Sequence, residues 1–257
     1  MSEIIEGRNP VLEALKSGRP LNKVLLASNI ERHGVVGQIL HLAREQGIPV
    51  EYAARPALDR LSTTAAHQGV IAFASVKEYF ELEELLTISK QKNEPPLYVV
   101  LDGIEDPQNL GSIIRAAEAT GVHGVVIRER RAVGLTGAVA RVSAGALEYV
   151  PVARVNNIAQ AIETLKKNNV WVVGIDPSGK AEYDQVDYRP PTAIVIGGEG
   201  QGISDLVKKR CDILASIPMR GKITSLNAAV AGALAMYAAF RQRMGSPGSQ
   251  PRTERKQ

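Results

Sequence analysis

This sequence contains a single cysteine, Cys211, which excludes an internal disulfide or a cluster of thiolate ligands. The four histidines lack the spacing of a metal site, so we expect no bound metal. No apolar run approaches the roughly 18 residues of a membrane-spanning helix, and the acidic N-terminus lacks the apolar core of a signal peptide. These absences predict a cytoplasmic protein in a reducing environment, without a membrane anchor.

Aromatic residues are also scarce, at 4% of the chain, and neither sign of charge dominates. The formal net charge is +4 and the isoelectric point is about 9.2, a balance that permits a nucleic-acid partner without requiring one. With few rings to stack on bases, we expect any RNA to be recognised mainly through its phosphates and shape. The apolar fraction of 44% is ordinary for a protein with a buried core.

Alternating strand and helix patterns predict two α/β units, at residues 1–75 and 97–244. Between them, residues 76–96 are acidic and polar and end in Asn-Glu-Pro-Pro, which predicts a linker, partly helical. The segment 245–257 is rich in glycine, serine, proline and charge, so we expect a disordered tail.

The first unit begins with Asn9-Pro10, which fits an N-cap followed by a first helical residue, and Gly18 marks the end of that helix. Apolar strands and further helices alternate after it, which predicts a small α/β sandwich. The predicted strands are 24–26, 48–50 and 70–74, and the later predicted helices are 32–45 and 56–61.

The second unit has the pattern of a mostly parallel sheet with helices on both faces, and ligands bind such sheets outside the carboxyl ends of the strands. The predicted strands are 97–101, 125–127, 170–175, 193–196 and 213–217. The predicted helices are 110–120, 158–167, 205–210 and 226–243. The last helix carries small residues on several faces, which fits either a buried core helix or one shared with a subunit interface.

A Gly-Gly-Glu-Gly-Gln-Gly loop at 197–202 follows the predicted strand 193–196, and Ser204-Asp205 then resembles a helix N-cap. Four glycines around Glu199 give a backbone that a ligand approaches closely. The loop is not a dinucleotide fingerprint, because the third glycine position falls on Ile203, and it lacks the lysine of a phosphate-binding P-loop. The alternative is a tight strand-to-helix turn.

Two further segments carry polar residues suited to chemistry. In the first, Asn109 is a plausible N-cap and Arg115 follows two turns later; the alternative for Arg115 is a surface ion pair with Glu118. In the second, which joins strand 213–217 to the last helix, Ser225 is a candidate cap while Asn227 faces the site; plain capping is the alternative.

Together, in this order and at these separations, the three segments resemble the motifs of the SpoU family of S-adenosylmethionine-dependent RNA 2′-O-ribose methyltransferases, within the SPOUT superfamily. Residues 6–15 and 67–70 are similar to the family's RNA-binding substrate domain. The resemblance implies a small α/β sandwich that binds RNA, followed by a SPOUT-type parallel sheet with helices on both faces and a deep trefoil knot. It also implies homodimers.

By the same resemblance, five residues match polar active-site positions, six line the cofactor pocket, and two contact RNA. The active-site positions are Asn109, Arg115, Glu199, Ser225 and Asn227. The cofactor positions are Gly197, Gly198, Gly200, Ile217, Met219 and Leu226. The RNA positions are Arg8 and Asn9, although an N-cap role is the stronger structural explanation for Asn9.

A guanidinium stays protonated, so we expect Arg115 to bind phosphate and stabilise a developing alkoxide rather than to act as a base. Glu199 is expected to orient Arg115 or the loop backbone. The expected reaction is 2′-O-methylation of a guanosine in 23S rRNA. The alternatives are methylation of a tRNA or of the rRNA site linked to thiostrepton resistance, a catalytically silent ribosome-assembly factor, and, least favoured, a nicotinamide-dependent enzyme.

Overall fold

The computed structural model describes residues 2–62, 66–75, 79–222 and 224–244. The strands are β1 (Ser2–Glu6), β2 (Leu21–Ala27), β3 (Val50–Ala53), β4 (Val70–Ser75), β5 (Leu97–Asp102), β6 (Gly124–Arg128), β7 (Val152–Val155), β8 (Trp171–Ile175), β9 (Ala181–Glu182), β10 (Thr192–Gly197) and β11 (Ile213–Ser216). The helices are α1 (Arg8–Lys16), α2 (Val35–Glu45), α3 (Arg55–Leu61), α4 (Leu82–Gln91), α5 (Pro107–Ala119), α6 (Gly137–Val142), α7 (Ile158–Lys167), α8 (Asp205–Arg210) and α9 (Ala228–Met244), with a 3-10 turn at Ala146–Glu148. The predicted tail, 245–257, lies outside the described residues.

The front part of the chain forms a four-stranded mixed sheet in the order β1-β4-β2-β3. Helices α1 and α2 bury their apolar side chains against one face, and Leu58 of α3 packs against the other. Strand β2 is parallel to β3 and antiparallel to β4. This architecture confirms the predicted small α/β sandwich.

Helix α1 begins at Arg8, so the prediction of Asn9 as its N-cap was wrong. Gly7 occupies the N-cap position with φ +103°, a conformation that favours glycine, and it makes no side-chain cap. Its backbone N–H donates to the carbonyl of Val70 at 3.0 Å, which anchors the turn from β1 into α1 on the edge of β4. Asn9 therefore lies inside the first turn, with its side chain exposed.

The second sheet has seven strands in the order β7-β6-β5-β10-β8-β11-β9, and all its pairings are parallel. One face is covered by α5, α6 and α9, and the other by α4, α7 and α8. The prediction of a mostly parallel sheet covered on both faces is confirmed. Strands β5 and β10 lie side by side at its centre, so the segments that follow them meet at one edge. The trefoil knot stays a prediction.

Part of the predicted linker is a helix that belongs to the second core. Helix α4 starts with a capping box between Glu81 and Glu84, and it buries Leu82, Leu85 and Leu86 against the second sheet. Residues 76–78 lie outside the described part of the chain. The helix therefore ties the start of the second unit to its own core.

Helices α5 and α6 touch at a glycine, which leads to a stability prediction. A Cβ built on Gly111 would lie 2.6 Å from the Cβ of Val142, an atom that no rotamer change moves away. We expect Gly111→Ala to lower the free energy of unfolding by about 1–3 kcal/mol through overpacking. Urea unfolding measures this, with Ser112→Ala on the exposed neighbour as the control, expected to stay within about 0.5 kcal/mol of wild type.

Candidate active site

The glycine loop after β10 folds back on itself so tightly that two of its glycines have no room for a side chain. A Cβ on Gly197 would lie 2.1 Å from the carbonyl carbon of Gly202, and one on Gly198 would lie 2.1 Å from the carbonyl oxygen of Gly103. The Gly202 N–H donates to the Gly198 carbonyl at 3.0 Å, closing the loop. Gly200 has φ +85° and open space around it. The loop is therefore both a tight strand-to-helix turn and a stretch of backbone that a ligand can approach, so the two interpretations of the sequence hold together.

Two buried aspartates at the carboxyl ends of β5 and β8 hold this loop from either side. Asp102 accepts the N–H of Ser204 at 2.8 Å, so it, and not the Ser204 side chain, satisfies the start of α8. Asp176 lies 2.9 Å from the ammonium of Lys208, and it accepts both the N–H and the hydroxyl of Ser178. Although burial alone would raise the pKa of Asp176, its bonds to Ser178 and Lys208 lower it overall.

Sequence reasoning missed both aspartates, although a signal was present. Each directly follows or ends an apolar strand, at Leu101-Asp102 and Ile175-Asp176, which is where parallel sheets place their functional groups.

A cavity of about 1150 Å³ opens at this edge of the sheet, between the glycine loop, the end of β8 and the segment after β11. All six predicted cofactor residues line it: Gly197, Gly198, Gly200, Ile217, Met219 and Leu226. The wall also includes Glu199, Ser225 and Asn227. Sequence reasoning missed the wall formed by residues 175–178 and by Lys208.

Beside the cavity, the structure joins the three motif segments through one hydrogen-bonded cluster. The side-chain amide of Asn227 donates to Asn109 Oδ1 and to Glu199 Oε1, both at 2.8 Å. The amide of Asn109 donates to the same Glu199 oxygen at 3.0 Å. Asn109 is 5% exposed, so the cluster is anchored in the protein interior at one end and opens to the cavity at the other.

The structure around this cluster corrects two predicted capping roles and the predicted start of one helix. Asn109 lies inside α5, whose N-cap is Asp106, which accepts the N–H of Gln108. Asn227, and not Ser225, caps α9, because its Oδ1 accepts the N–H groups of Ala229 and Val230 at 2.9 and 3.2 Å. Helix α9 accordingly starts at Ala228 rather than at residue 226.

Arg115 lies on α5 with its side chain exposed and does not line the cavity. Among the described residues Arg115 makes no hydrogen bond or ion pair, so the alternative of a surface pair with Glu118 is not observed. Glu199, expected to orient Arg115 or the loop backbone, instead bonds to the two asparagines among the described residues. The guanidinium is thus free to meet a ligand.

The two predicted RNA contacts lie at the start of α1. The Nε of Arg8 donates to the carbonyl of Gln68 at 3.3 Å, which joins the helix start to the loop before β4. Asn9 is exposed beside it.

The described part of the chain offers little support for a metal site, a membrane-spanning helix or a cysteine nucleophile. No group of three metal-ligating side chains occurs there, and none of its helices is long and apolar enough to cross a membrane. Burial, followed by the charge of Asp212, raises the pKa of the Cys211 thiol to about 12, so it is a poor nucleophile.

Comparison with known proteins identifies this arrangement. Residues 96–237 match the model of the SpoU rRNA Methylase family, and residues 4–80 match that of the RNA 2′-O ribose methyltransferase substrate-binding domain. The chain belongs to the SpoU rRNA methylase family. This SpoU methylase is therefore an RNA 2′-O-ribose methyltransferase, and its methyl donor is S-adenosylmethionine.

Relatives match over nearly the whole chain. The protein named "Putative TrmH family tRNA/rRNA methyltransferase YacO" of Bacillus subtilis is 48% identical, over 94% of this chain and 96% of its own. The crystal structure of the SpoU methyltransferase AviRb from Streptomyces viridochromogenes, in complex with AdoMet, has a TM-score of 0.80 at 27% identity and covers 95% of this chain and 92% of that one. The AdoMet-bound rRNA methyltransferase from Sinorhizobium meliloti has a TM-score of 0.73 at 25% identity, covering 93% and 87%.

The cavity of the SpoU methylase fits such a donor by its chemistry. Gly197, Gly198 and Gly200 leave the loop backbone uncovered by side chains, so a nucleoside can approach that backbone closely. Ile217 and Leu226 supply apolar surface for a flat ring. A volume of about 1150 Å³ suits a ligand of this size.

The double role of Asn227 predicts different stabilities for two substitutions. Asn227→Ala removes both the cap of α9 and the bonds to Glu199, and we expect it to lower the free energy of unfolding by about 1–2 kcal/mol. Asn227→Ser retains an oxygen that caps the helix, so we expect it to recover most of that loss. Urea unfolding followed by circular dichroism measures both; equal losses would show that the cap contributes little.

Proposed function

We propose that this SpoU methylase methylates the 2′-hydroxyl of a guanosine in 23S rRNA, in the cytoplasm. The observation that carries the proposal is the Asn109–Glu199–Asn227 cluster, which joins all three motif segments beside the cavity while leaving Arg115 free. The front sandwich, which matches the substrate-binding model, supports an extended RNA substrate.

We assign the substrate-binding domain to residues 1–75 and the methyltransferase domain to 97–244, with 76–96 between them and 245–257 as a tail. The front sheet ends at Ser75 and the second sheet starts at Leu97, which supports this division. Arg8 and Asn9, at the exposed start of α1, are proposed RNA contacts.

In the proposed mechanism, the cavity residues would hold the donor; they are Gly197, Gly198, Gly200, Ile217, Met219 and Leu226. The donor supplies an electrophilic methyl group on a sulfonium, so no Lewis acid is needed. The 2′-oxygen would bond to the methyl carbon as the carbon–sulfur bond breaks, which would leave a neutral thioether, and the hydroxyl proton would pass to phosphate or solvent. Holding the two reactants in line supplies much of the rate.

Residues of the protein itself would bind the substrate, stabilise charge and hold the site in place. Arg115 supplies a guanidinium cation, which holds the neighbouring phosphate and stabilises the negative charge that develops on the 2′-oxygen. Glu199 fixes the amides of Asn109 and Asn227, and through them the start of both helices. Ser225, exposed on the cavity wall, is placed to bond the substrate.

We also propose a homodimer. Val230, Leu234 and Tyr237 of α9 are 48%, 36% and 47% exposed and lie three or four residues apart, so they form one apolar stripe. A second copy covering this stripe would place the active sites near the subunit interface.

The exposed, unpaired state of Arg115 predicts a purely catalytic effect. We expect Arg115→Ala to reduce methyl transfer from radiolabelled S-adenosylmethionine to unmodified 23S rRNA by about 100-fold or more, and to leave the unfolding free energy within about 0.5 kcal/mol of wild type. Lys167→Ala, at an exposed cation of α7, is the control. Near-full activity of Arg115→Lys with an unchanged pH profile would contradict a specific guanidinium role.

The same assay tests the substrate. Label in a ribose 2′-oxygen of 23S rRNA supports the proposal. Donor binding with label only in tRNA, or in the thiostrepton-linked rRNA site, would establish one of the alternatives. Donor binding without transfer to any RNA would favour a silent assembly factor.

The apolar wall of the cavity predicts a change in donor affinity. Because Leu226 lines the cavity, we expect Leu226→Ala to raise the Kd of S-adenosylmethionine by about tenfold through lost apolar contact. Isothermal titration calorimetry measures this. Leu206→Ala removes a leucine that is 54% exposed and outside the cavity wall, and it is expected to leave the Kd unchanged.

A further inference from the structure

A buried ion pair joins the front sandwich to the methyltransferase domain. Arg19 follows α1, and its Nη1 lies 2.8 Å from Oε1 of Glu148, 129 residues later in the chain. The two side chains are 7% and 4% exposed. A buried pair of this kind is costly to separate, because either charge left alone loses its compensation.

A second set of contacts brings the same two segments together. The Tyr149 hydroxyl donates to Glu13 Oε2 at 2.6 Å. A Cβ built on Gly145, which has φ +93°, would lie 2.4 Å from the Cβ of Glu13, so α1 rests directly on the backbone there. Segment 145–149 is thus the docking surface for α1.

Segment 145–149 is also continuous with the residues that pack beside α5. The Cβ position of Gly111 is 3.1 Å from the backbone nitrogen of Ser143. Further along α5, the charge of Glu118 adds to burial and to Glu13 in raising the pKa of Tyr149. Arg115 lies between Gly111 and Glu118, and these three positions share one face of the helix.

We propose that Arg19, Glu148, Glu13 and Tyr149 are positioning residues that hold the RNA-binding sandwich at a fixed place beside Arg115. An RNA held by the sandwich then presents one ribose to the site, and the docking sets which ribose that is. The linker alone cannot set which ribose is presented, because it joins the two domains without fixing their relative orientation. This inference rests on the proposed function, because it takes the front domain as the RNA-binding part.

The test uses the full-length enzyme with two variants. One is the double substitution Arg19→Gln with Glu148→Gln, which removes the charges together and leaves neither unpaired. The other is Tyr149→Phe, which removes only the hydroxyl. The control is Glu163→Gln, which breaks an exposed ion pair with Arg210 in the methyltransferase domain.

We expect the double variant to lower kcat on the RNA substrate by about tenfold or more, since misplacing reactants by 1 Å costs up to about 100-fold. The Kd of S-adenosylmethionine and the Kd of the RNA should stay within about twofold, because neither binding surface is altered. Hydrogen exchange in the absence of RNA should rise in α1 and in segment 145–149 together. Tyr149→Phe should also lower kcat and raise hydrogen exchange in these two segments, but by less than the double variant does.

Two results would overturn the inference. One is an unchanged kcat together with a lower unfolding free energy, which would show that the contacts only stabilise the fold. The other is loss of donor binding in parallel with kcat, which would reveal general damage to the methyltransferase domain. Failure of the proposed function would give a different result. The wild-type enzyme would then transfer no methyl group to any RNA, while hydrogen exchange would still differ between the wild type and the double variant.

Discussion

The cluster of Asn109, Glu199 and Asn227 holds together three segments that are far apart in the chain. Each residue sits at a helix start or a loop tip, where the backbone would otherwise be free to adopt several positions. One carboxylate oxygen receives two amide N–H groups, and the third bond closes the ring between the asparagines. The cavity wall and the helix that carries Arg115 take their relative positions from this cluster.

The site also depends on close packing between the backbone of the glycine loop and neighbouring backbone. A side chain on Gly197 would overlap the backbone of Gly202 and Ile203, and a side chain on Gly198 would overlap the carbonyl of Gly103. The glycines are therefore required for the turn itself, and the uncovered peptide groups in the cavity are a consequence of the same packing. Asp102 and Asp176 then supply the carboxylates that tie this turn to α8.

The central strands of the second sheet followed from local sequence patterns, whereas three edge strands did not. The buried strands β5, β8 and β10 are continuous apolar runs, which the sequence pattern identifies directly. The strands that were missed, β1, β7 and β9, are all at the edge of a sheet. An edge strand pairs on one side only, so its composition is less constrained and its existence depends on a distant partner.

The sequence was sufficient to predict many of the residues that form the site, but not how their side chains are arranged. The three motifs named the members of the cluster and part of the cavity lining, but not the wall formed by residues 175–178 and Lys208. Which residue caps each helix was beyond the sequence, because Asp106 and Asn109 have nearly equal capping preference, as do Ser225 and Asn227. Only the packing of α5 and α9 on the sheet decides between them.

The capping of α9 by Asn227 has a consequence for the order in which the enzyme matures. Synthesis proceeds from the N-terminus at about 5–20 residues per second, and the glycine loop leaves the ribosome well before residues 227–244 do. Until those last residues emerge, Glu199 lacks one of its two amide donors and the cavity lacks one wall. The front sandwich, made from the first 75 residues, is complete much earlier. Under the proposed division of roles, the RNA-binding part of the nascent chain is therefore complete before its methyl-transfer site is.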